Sequence, residues 1–540
     1  MKKLVHGAET IYALLFGLGL LAPLVFFFVK VAPWRVDAVR LFAEPGVRAA
    51  MWNSFTLAAT TSVAATSLAF VFSWLLWRYR WPTRLANTVS LALKIPYLLP
   101  PFFFAIGWIA LAAPEVGYLN KLATALGMPT LPTVYGMGGT IFVFVLWATA
   151  LAMIQIQIFF AQMPGHLEDA AIMCGASPFK TFLKITVPLA WPRLLACMLL
   201  TAVNALAAFG VPAMLASPAR TYVFTTRIYQ SIKSSQDFSQ AGLLSFALLV
   251  VTLVLIIAQQ ILSKTKSGAL VGGKASRPSA LEPSTGARVL FAAAAFFAVV
   301  SCVLPFLAVT VQSLLHDRSD LTSLTFEKYV YVFTALPDSM SAVQNSVTTS
   351  ALAAGVATLV GLVIAYGAAR LRSPASRILT EVWDIGYALP GTIIALCLIV
   401  FYSGSLTDTV WILALAYLVK YAAFALRTLT PAMASISREL EEAAWMSGAS
   451  PARSFLKIVV PMLKPAVAAA LLLALVPMLS ELTMSVLLAG AGTETLGTLI
   501  YRLQEYADPG SAAVLAVLVA AATLALNAAL KKMSRGSFGI

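Results

Sequence analysis

A polar segment occurs twice in the chain, each time between long apolar runs. The first copy, residues 168–188, reads EDAAIMCGASPFKTFLKITVP, and the second copy, residues 441–461, reads EEAAWMSGASPARSFLKIVVP. The two copies align without a gap, and we call them the first and second polar segments. Their residue types suit docking to another protein and contain no pattern typical of catalysis.

The order of residues in each polar segment predicts a helix, a tight turn and a second helix. In the first copy, Glu168 and Asp169 suit the positive N-terminal end of a short helix. Gly175 can adopt the left-handed conformation that ends such a helix. Ser177 and Pro178 are favoured at the cap and first turn of the next helix. One copy alone could be an amphipathic helix on the membrane surface. Two copies at equivalent places favour a docking element.

The composition indicates how these segments must be positioned. The chain has 540 residues, of which 60% are hydrophobic and 11% are charged. Such a composition predicts a polytopic membrane protein. The net charge of +15 is better explained by Lys and Arg on the cytoplasmic side of the membrane than by nucleic acid. We therefore expect the lipid bilayer, and no nucleic acid, as a partner.

The apolar runs predict two homologous halves of six transmembrane helices, about 12 in all. The predicted spans lie near residues 11–33, 53–77, 90–112, 135–162, 190–215 and 241–262, and near residues 288–315, 345–369, 381–402, 409–433, 464–489 and 510–531. The N-terminal half is residues 1–262 with a loop at about 163–189, a polar linker is residues 263–287, and the C-terminal half is residues 288–540 with a loop at about 436–462.

Other matched residues extend the repeat. Asn53-Ser54 opens the second predicted span, and Asn345-Ser346 opens the eighth. The stretch IPYLLP at 95–100 corresponds to IGYALP at 385–390. An even number of spans in each half predicts a parallel repeat with a pseudo-two-fold axis along the membrane normal. The expected fold class is an all-α polytopic membrane protein.

The distribution of Lys and Arg predicts the orientation. If the N-terminus is cytoplasmic, most cationic residues fall in the cytoplasmic segments, as the positive-inside rule requires. Both polar segments and both termini are then cytoplasmic. We expect a multi-pass membrane protein.

The two polar segments resemble the EAA loop, with its Glu-Ala-Ala start and later Gly, of the permeases of ABC importers. The resemblance implies a type I importer permease of the bacterial inner membrane, in which one chain contains both halves of the pore. It also implies that each loop is a coupling helix that sits in a cleft of a cytoplasmic ATPase subunit. The implied ATPase-coupling residues are Glu168, Ala170, Ala171, Gly175, Glu441, Ala443, Ala444 and Gly448.

The resemblance also implies which partners are needed. Two copies of an ABC ATPase subunit and a periplasmic substrate-binding protein are expected. The stretch GALVGGKA at 268–275 has phosphate-loop spacing, but it ends in Ala where Ser or Thr must bind magnesium. We therefore expect ATP and magnesium to bind the partner ATPase, and this chain to be a transport subunit without enzyme activity. The four Cys and three His residues are scattered, so we expect no catalytic residue, no metal site and no bound cofactor.

A few residues are candidates for the translocation path. In the resembled family the helices after the coupling loops line the pore, and Phe209 and Leu482 occupy matching positions there. They are gate candidates, with core packing as the alternative. Glu481 is a third candidate for the path, and its alternative is a structural pair, with Lys420 as the possible partner.

Other polar residues have two possible interpretations. Lys94 and Asp384 could face each other across the pseudo-two-fold axis, although we favour snorkelling at the interface. A group in the loop after the fifth span could dock a binding protein or be ordinary loop surface: Tyr222, Thr225, Thr226 and Tyr229.

The resemblance is greatest to fused permeases of the iron(III) importer group. The stretches that carry it are FGVPAML (209–215), YVFTTRIY (222–229), LTFEKYVYVF (324–333) and SELTMSVLLAGAGTETLGTLIY (480–501). The expected substrate is ferric iron, with thiamine, phosphonate or phosphorylated sugar as alternatives on the same machinery. A secondary transporter driven by an ion gradient is a more distant alternative, because it would not need two EAA loops.

Overall fold

The computed structural model describes residues 2–31, 38–264, 280–317, 323–506 and 508–533, and these residues are mostly helical. The helices up to residue 264 are α1 (Val5–Lys30), α2 (Pro45–Arg78), α3 (Thr83–Leu98), α4 (Pro101–Ala112), α5 (Met137–Gln162), α6 (His166–Met173), α7 (Pro178–Ala207), α8 (Gly210–Leu215), α9 (Phe224–Lys233) and α10 (Phe238–Lys264).

The later helices follow a similar order. They are α11 (Thr285–Leu314), α12 (Ser339–Ala369), α13 (Pro374–Ala388), α14 (Gly391–Phe401), α15 (Val410–Ser435), α16 (Glu439–Met446), α17 (Pro451–Met462), α18 (Lys464–Leu479), α19 (Leu496–Tyr506) and α20 (Pro509–Met533). Shorter helices lie at Ala38–Ala43, Tyr118–Ala125, Ser217–Ala219, Glu327–Thr334 and Ser485–Leu488. In the described ranges the only β-pairing is two isolated bridges, Tyr79 with Leu281 and Leu315 with Leu324.

The number of membrane spans depends on three bent helix pairs. Among the described residues, nine helices are long and apolar enough to cross a membrane, and there are up to 12 spans if each bent pair is one span. The pairs are α3–α4, bent by 107°, α13–α14, bent by 100°, and α17–α18, bent by 70°. The predicted all-α membrane fold is confirmed. The third and ninth spans, predicted as continuous, are sharply bent.

Proline explains the first two bends. Pro100 stands between α3 and α4, whose first residue is Pro101, and Pro390 stands between α13 and α14. Proline lacks the N–H that a helix interior needs, and it disfavours helical geometry in the preceding residue. Leu99 and Leu389 accordingly adopt extended backbone conformations, with ψ of 149° and 141°.

Each bend frees backbone carbonyls, and each half supplies a different donor for them. At the first bend, Trp147 Nε1 donates to the carbonyl of Leu99 at 3.1 Å. At the second bend, Lys420 Nζ donates to the carbonyl of Leu389 and, at 3.3 Å, to that of Tyr387. A backbone group without a partner is costly in a membrane. These side chains therefore stabilise the bends.

The chain packs into two compact units. One unit comprises Met1–Leu41, Ile228–Leu249 and Thr325–Ile540, and the other comprises Phe42–Arg227 and Val250–Leu324. These units are not the two sequence halves. The first span lies in the unit that contains most of the C-terminal half, whereas α11, the first helix of the C-terminal half, lies in the other unit. The half boundaries at residues 262 and 288 remain a prediction about the sequence repeat.

Specific contacts hold α1 in the first unit. Tyr12 is fully buried, and its hydroxyl donates to the carbonyl of Ala357 on α12 at 2.9 Å. Tyr12 and Phe16 also pack on the buried ring of Trp383, with centroid distances of 4.7 and 5.3 Å. In the other unit, Phe291 of α11 stacks on Trp81 at 4.2 Å. In each unit, aromatic side chains therefore pack a helix that is distant in sequence against the rest of the unit.

The predicted linker, residues 263–287, is described only in part. Residues 265–279, which include the phosphate-loop-like stretch, lie outside the described residues. Beyond them, the N–H of Leu281 donates to the carbonyl of Arg78 at 3.1 Å, and the N–H of Arg80 donates to that of Leu281 at 2.8 Å. The end of the linker is therefore bonded to the end of α2.

Candidate functional site: the two polar segments

The first polar segment folds as a helix that a glycine closes. Helix α6 ends at Met173, and Gly175 follows with φ of +84°. The N–H of Gly175 donates to the carbonyl of Ile172 at 2.9 Å, and that of Ala176 donates to Ala171 at 3.0 Å. These two bonds form a Schellman motif, which satisfies carbonyls that the end of a helix leaves free. The predicted left-handed turn is confirmed.

The second polar segment repeats this geometry. Helix α16 ends at Met446, and Gly448 also has φ of +84°. Its N–H donates to the carbonyl of Trp445 at 3.0 Å, and the N–H of Ala449 donates to Ala444 at 2.9 Å. Ala171 and Ala444 therefore have the same local role, as acceptors that close the turn.

The second helix of each segment begins with a serine cap. Ser177 Oγ accepts from the N–H of Lys180, and Ser450 Oγ accepts from that of Arg453, both at 3.3 Å. The predicted cap is confirmed in the first segment and recurs in the second. One turn later each segment contains a π-helical stretch, Phe182–Thr186 and Phe455–Val459.

Glu168 is buried and faces the interior of its own unit. Its exposed fraction is 1%, and its Oε2 lies 3.2 Å from Nε of Arg78, the last residue of α2. Thr186 donates a hydrogen bond to Oε1 of Glu168, and Arg78 Nη1 donates to Oδ1 of Asp169 at 3.0 Å. Burial raises the pKa of Glu168, while the bond from Thr186 and the charge of Arg78 favour the ionised form. The carboxylate thus fastens α6 to α2.

Glu441 makes the equivalent connection to α12. Arg370 Nε lies 2.6 Å from Oε1 of Glu441, and the hydroxyl of Tyr366 donates to Oε2 at 2.9 Å. Arg370 Nη2 also donates to the carbonyl of Ile436 at 2.7 Å. Glu441 is 1% exposed. Neither glutamate is therefore available at the surface of this chain.

The exposed face of each segment is apolar at its tip. Met173 and Met446, which occupy the same position in the two copies, are 87% and 89% exposed. Ala170 and Ala443 are also exposed. An exposed methionine is flexible and can fit an irregular apolar cleft. The predicted coupling residues thus divide into buried anchors, turn residues and exposed surface.

The gate candidates lie where the helices after the polar segments break. Phe209 stands between α7 and α8, and Leu482 follows the end of α18. Both side chains are buried in their own units, with exposed fractions of 1% and 4%. Their position at matching breaks agrees with the predicted register. Their role as gate residues stays a prediction.

Glu481 follows the end of α18, and its carboxylate binds the N–H groups at the start of the short helix Ser485–Leu488. Its carboxylate accepts from the backbone N–H of Met484 at 2.9 Å, and from both the N–H and the hydroxyl of Ser485 at 3.1 Å. The hydroxyl of Ser485 lies 2.7 Å from that of Tyr417. Lys420 donates to the carbonyls at the α13–α14 bend, and the ion pairs within the described residues do not include Lys420 with Glu481. The alternative interpretation, a direct pair between Glu481 and Lys420, is therefore not observed among the described residues.

The remaining polar candidates have local partners. Lys94 Nζ donates to Gln157 Oε1 at 3.4 Å, and Asp384 pairs with Arg427 at 2.9 Å. Thr225 and Thr226 are buried, with exposed fractions of 0% and 2%, whereas Tyr222 and Tyr229 are half-buried. The two threonines are therefore not a docking surface. Each forms a hydrogen bond with the backbone: Thr225 Oγ1 donates to the carbonyl of Ala208 at 2.6 Å, and Thr226 Oγ1 accepts from the N–H of Val223 at 2.9 Å.

Sequence reasoning does not identify the partners of the two glutamates. By sequence alone, Arg78 and Arg370 are only cations at the ends of predicted spans. The number of residues from Arg78 to Arg370 equals the number from the Asn-Ser pair at 53–54 to the pair at 345–346. That shared register is the signal by which the sequence could have assigned them a common role.

No group of three or more His, Cys, Asp or Glu in the described ranges is placed to hold a metal ion. Among the cysteines, Cys174 in the first polar segment is exposed, and Cys197 and Cys397 are buried.

Comparison with known proteins identifies the family. A model of the binding-protein-dependent transport system inner membrane component matches residues 65–267 and again residues 334–535. The chain is similar to the Fe(3+)-transport system permease protein FbpB 2 of Haemophilus influenzae, with 26% identity over 91% of each chain. It is also similar to the ferric transport system permease protein FbpB of Actinobacillus pleuropneumoniae, with 24% identity over 94% of this chain and 75% of that protein.

A shorter relative matches one part of the chain. The sulfate transport system permease protein CysT of Escherichia coli K12 is 28% identical over 38% of this chain and 80% of its own length. The two matched domains, the fold and the paired polar segments agree. This chain is a multi-pass membrane permease that belongs to the family of binding-protein-dependent transport system inner membrane components, with two family domains in one polypeptide.

Proposed function

We propose that this chain forms the whole translocation pore of an ABC importer for ferric iron. The two polar segments are its coupling loops, and each binds one copy of a cytoplasmic ATPase subunit. ATP and magnesium bind that subunit, and a periplasmic binding protein delivers the substrate. Both termini and both polar segments are cytoplasmic in this proposal, in keeping with the positive-inside distribution of Lys and Arg.

The observation that carries the proposal is the identical construction of the two segments. Each has a buried glutamate bonded to an arginine, a glycine with φ of +84° and an exposed methionine at its tip. Two docking elements of the same construction suit two copies of one partner subunit, because similar surfaces bind equivalent sites. A dimeric ATPase offers such a pair of sites.

The substrate proposal is supported by the ferric transport permeases that match more than nine-tenths of this chain. Two sulfate permeases match 36% and 38% of this chain, which is 70% and 80% of their own length. Iron is cargo here and passes through the pore without a resident metal site. The binding protein selects the ion, and Phe209, Glu481 and Leu482 are the residues of this chain that we place along its path.

A pull-down tests the partners. The tagged chain is purified from its native host in mild detergent, and its companions are identified and counted by native mass spectrometry. We expect a complex of one permease with two copies of one ATPase. We also expect the separated permease, free of contaminating ATPases, to hydrolyse no ATP. A chain that hydrolyses ATP by itself, or that binds no ATPase, would refute the proposal.

An uptake assay tests the substrate. A strain that lacks this gene is compared with the complemented strain for uptake of ⁵⁵Fe(III), ³⁵S-sulfate, labelled thiamine and labelled phosphonate. We expect complementation to restore uptake of iron only. Restoration of another label with iron uptake unchanged would keep the importer and replace its substrate.

A further inference from the structure

We propose that α2 and α12 are coupling struts that connect the polar segments to the loops at the far ends of these helices. The loops, which we call the distal loops, are residues 216–223 and 489–495, and each precedes α9 or α19. In this arrangement Ser54 and Ser346 are positioning residues that carry movement of a polar segment to its distal loop. The inference rests on the proposed ATPase coupling.

One end of each strut is fastened to a polar segment. Arg78, the last residue of α2, pairs with Glu168, and Arg370, directly after α12, pairs with Glu441. These pairs are buried and further bonded by Thr186 and Tyr366. Breaking a buried ion pair leaves an uncompensated charge, so each fastening resists separation.

The other end of the first strut is fastened to the first distal loop. Asn53 Nδ2 donates to the carbonyl of Tyr222 at 3.0 Å, and Ser54 Oγ accepts from the N–H of Phe224 at 2.7 Å. The hydroxyl of Ser54 in turn donates to the carbonyl of Ala50 at 2.8 Å. Phe224 is the first residue of α9, so a side chain of another helix supplies its N-terminal cap.

The second strut has the same connection. Asn345 Nδ2 donates to the carbonyls of Gly492 and Glu494, both at 3.0 Å, and Ser346 Oγ accepts from the N–H of Leu496 at 2.7 Å. Leu496 is the first residue of α19. Ser54 and Ser346 are buried, with exposed fractions of 1% and 2%. The connection is thus protected from water in both halves.

The helices between these ends are continuous. Helix α2 has 34 residues and α12 has 31, and neither has proline in its interior or a π-helical stretch. Kinks come almost always from such features. The same number of residues separates Ser54 from Arg78 as separates Ser346 from Arg370, a helical length of about 36 Å. A movement applied at one end therefore reaches the other without a joint.

The direct continuation of each polar segment has softer points. The first segment leads into α7, which contains the π-helical stretch Phe182–Thr186 and the interior proline Pro192. The second leads through Phe455–Val459 to the 70° bend between α17 and α18. The strut is the stiffer of the two routes in each half.

The test compares matched serine variants by a cysteine reporter in each distal loop. Ala219 and Ala491 occupy corresponding exposed positions, so Ala219→Cys and Ala491→Cys are introduced separately into a chain whose four cysteines are replaced. The complex with its ATPase is reconstituted in nanodiscs, and the rate of maleimide labelling is measured without nucleotide and with ATP, magnesium and vanadate. Ser54→Ala and Ser346→Ala remove the two caps.

We expect the unsubstituted struts to give a labelling rate that depends on nucleotide at both reporters. Ser54→Ala should abolish this dependence at Ala219→Cys and keep it at Ala491→Cys, and Ser346→Ala should do the reverse. Two control variants remove buried hydroxyls that do not reach a distal loop. The hydroxyl of Ser62 bonds within α2, and that of Ser350 has no hydrogen-bond partner among the described residues. Ser62→Ala and Ser350→Ala should therefore retain the nucleotide dependence of the labelling rate.

Three results would overturn the struts: no nucleotide dependence in the parent complex, an unchanged dependence in both cap variants, or equal loss in the control variants. Failure of the proposed function gives a different result, because the parent chain would then form no complex with an ATPase and no labelling experiment would begin. Loss of the ATPase from a cap variant alone also counts against the struts, because Ser54 and Ser346 lie at the ends remote from the polar segments.

Discussion

Arg370 and Glu441 form a buried pair, with Nε 2.6 Å from Oε1, that joins the end of α12 to the first turn of α16. The corresponding pair, Arg78 with Glu168, is buried on both sides, with exposed side-chain fractions of 1%. The glutamate that gives each polar segment its recognisable start therefore holds the segment to its own permease. In the proposed complex, this glutamate sets where the exposed surface that would bind the ATPase lies.

The first prediction concerns this fastening. Arg370→Met leaves the buried carboxylate of Glu441 without its cation, which typically costs about 3–5 kcal/mol. We expect protection of the amides of α16 from hydrogen exchange to fall by about 10²–10⁴-fold, because the opening is local and each 1.4 kcal/mol corresponds to a factor of about ten. The measurement is hydrogen exchange with mass spectrometry on the purified chain.

Two comparisons sharpen that prediction. Arg377→Met removes an exposed arginine of α13 and should change protection of α16 little, since exposed charges contribute about 0–1 kcal/mol. The double variant Arg370→Met with Glu441→Met removes both charges and should be less damaging than Arg370→Met alone. Equal protection in Arg370→Met and Arg377→Met would mean that the pair does not hold α16.

The second prediction concerns the two glycines at φ of +84°. A Cβ atom at Gly175 or Gly448 would meet nothing within 4 Å, so substitution introduces backbone strain without a steric clash. Valine at this φ costs of order 1–3 kcal/mol. We expect Gly175→Val and Gly448→Val to insert normally and to lose ATPase binding or transport, as measured by membrane abundance, pull-down and uptake.

Asparagine separates strain from bulk at these turns, because it tolerates the left-handed conformation. Gly175→Asn and Gly448→Asn should retain more transport than the valine variants. Gly286→Val is the matched control, since a Cβ there also meets open space and its φ is not positive. Full transport by the double valine variant would show that the polar segments are not couplers.

Local chemistry explains why the turns could be predicted from sequence and the arginine partners could not. Gly175 and Ser177 act within a few residues of themselves, so their types and spacing determine the turn and the cap. Arg78 is far from Glu168 in sequence and meets it only after α2 and α6 pack. Such a contact depends on tertiary structure, which a pattern along the chain does not contain.

The two helix bends at Pro100 and Pro390 could not be predicted from the sequence alone either. Hydropathy predicts apolar segments at 90–112 and 381–402, but it does not distinguish a straight span from two helices at about a right angle. Pro100 and Pro390 are visible as part of the repeat. Whether a proline kinks or breaks a span depends on the donors that neighbouring helices offer to its freed carbonyls. Here those donors are Trp147 and Lys420.

The third prediction concerns Glu481. Its carboxylate accepts from two backbone N–H groups and one hydroxyl, whereas an amide offers only one acceptor oxygen. Glu481→Gln should assemble normally and transport less. Glu481→Ala leaves two buried N–H groups without a partner, at about 1–3 kcal/mol each, and should also lower abundance.

Uptake and membrane abundance are measured for both Glu481 variants, with Glu505→Gln, an exposed acid on α19, as the control. Normal transport by Glu481→Gln together with low abundance of Glu481→Ala would make Glu481 a structural cap and remove it from the path. Reduced transport by Glu481→Gln at full abundance is the result we expect.

The last prediction concerns the surface that we propose binds the ATPase. Met173 and Met446 are 87% and 89% exposed at matching tips, and burial of a methionine side chain contributes about 1.5–3 kcal/mol. Met173→Gln or Met446→Gln should therefore weaken ATPase binding by about 10–100-fold, measured by titrating the purified permease with the ATPase. Met128→Gln changes a methionine that is 59% exposed outside both polar segments and should bind as the parent does. Neither glutamine removes a hydrogen bond, so folding should be unaffected. If the double variant bound the ATPase with parental affinity, the tips would lie outside the interface and the docking face would have to be sought on another side of the two helices.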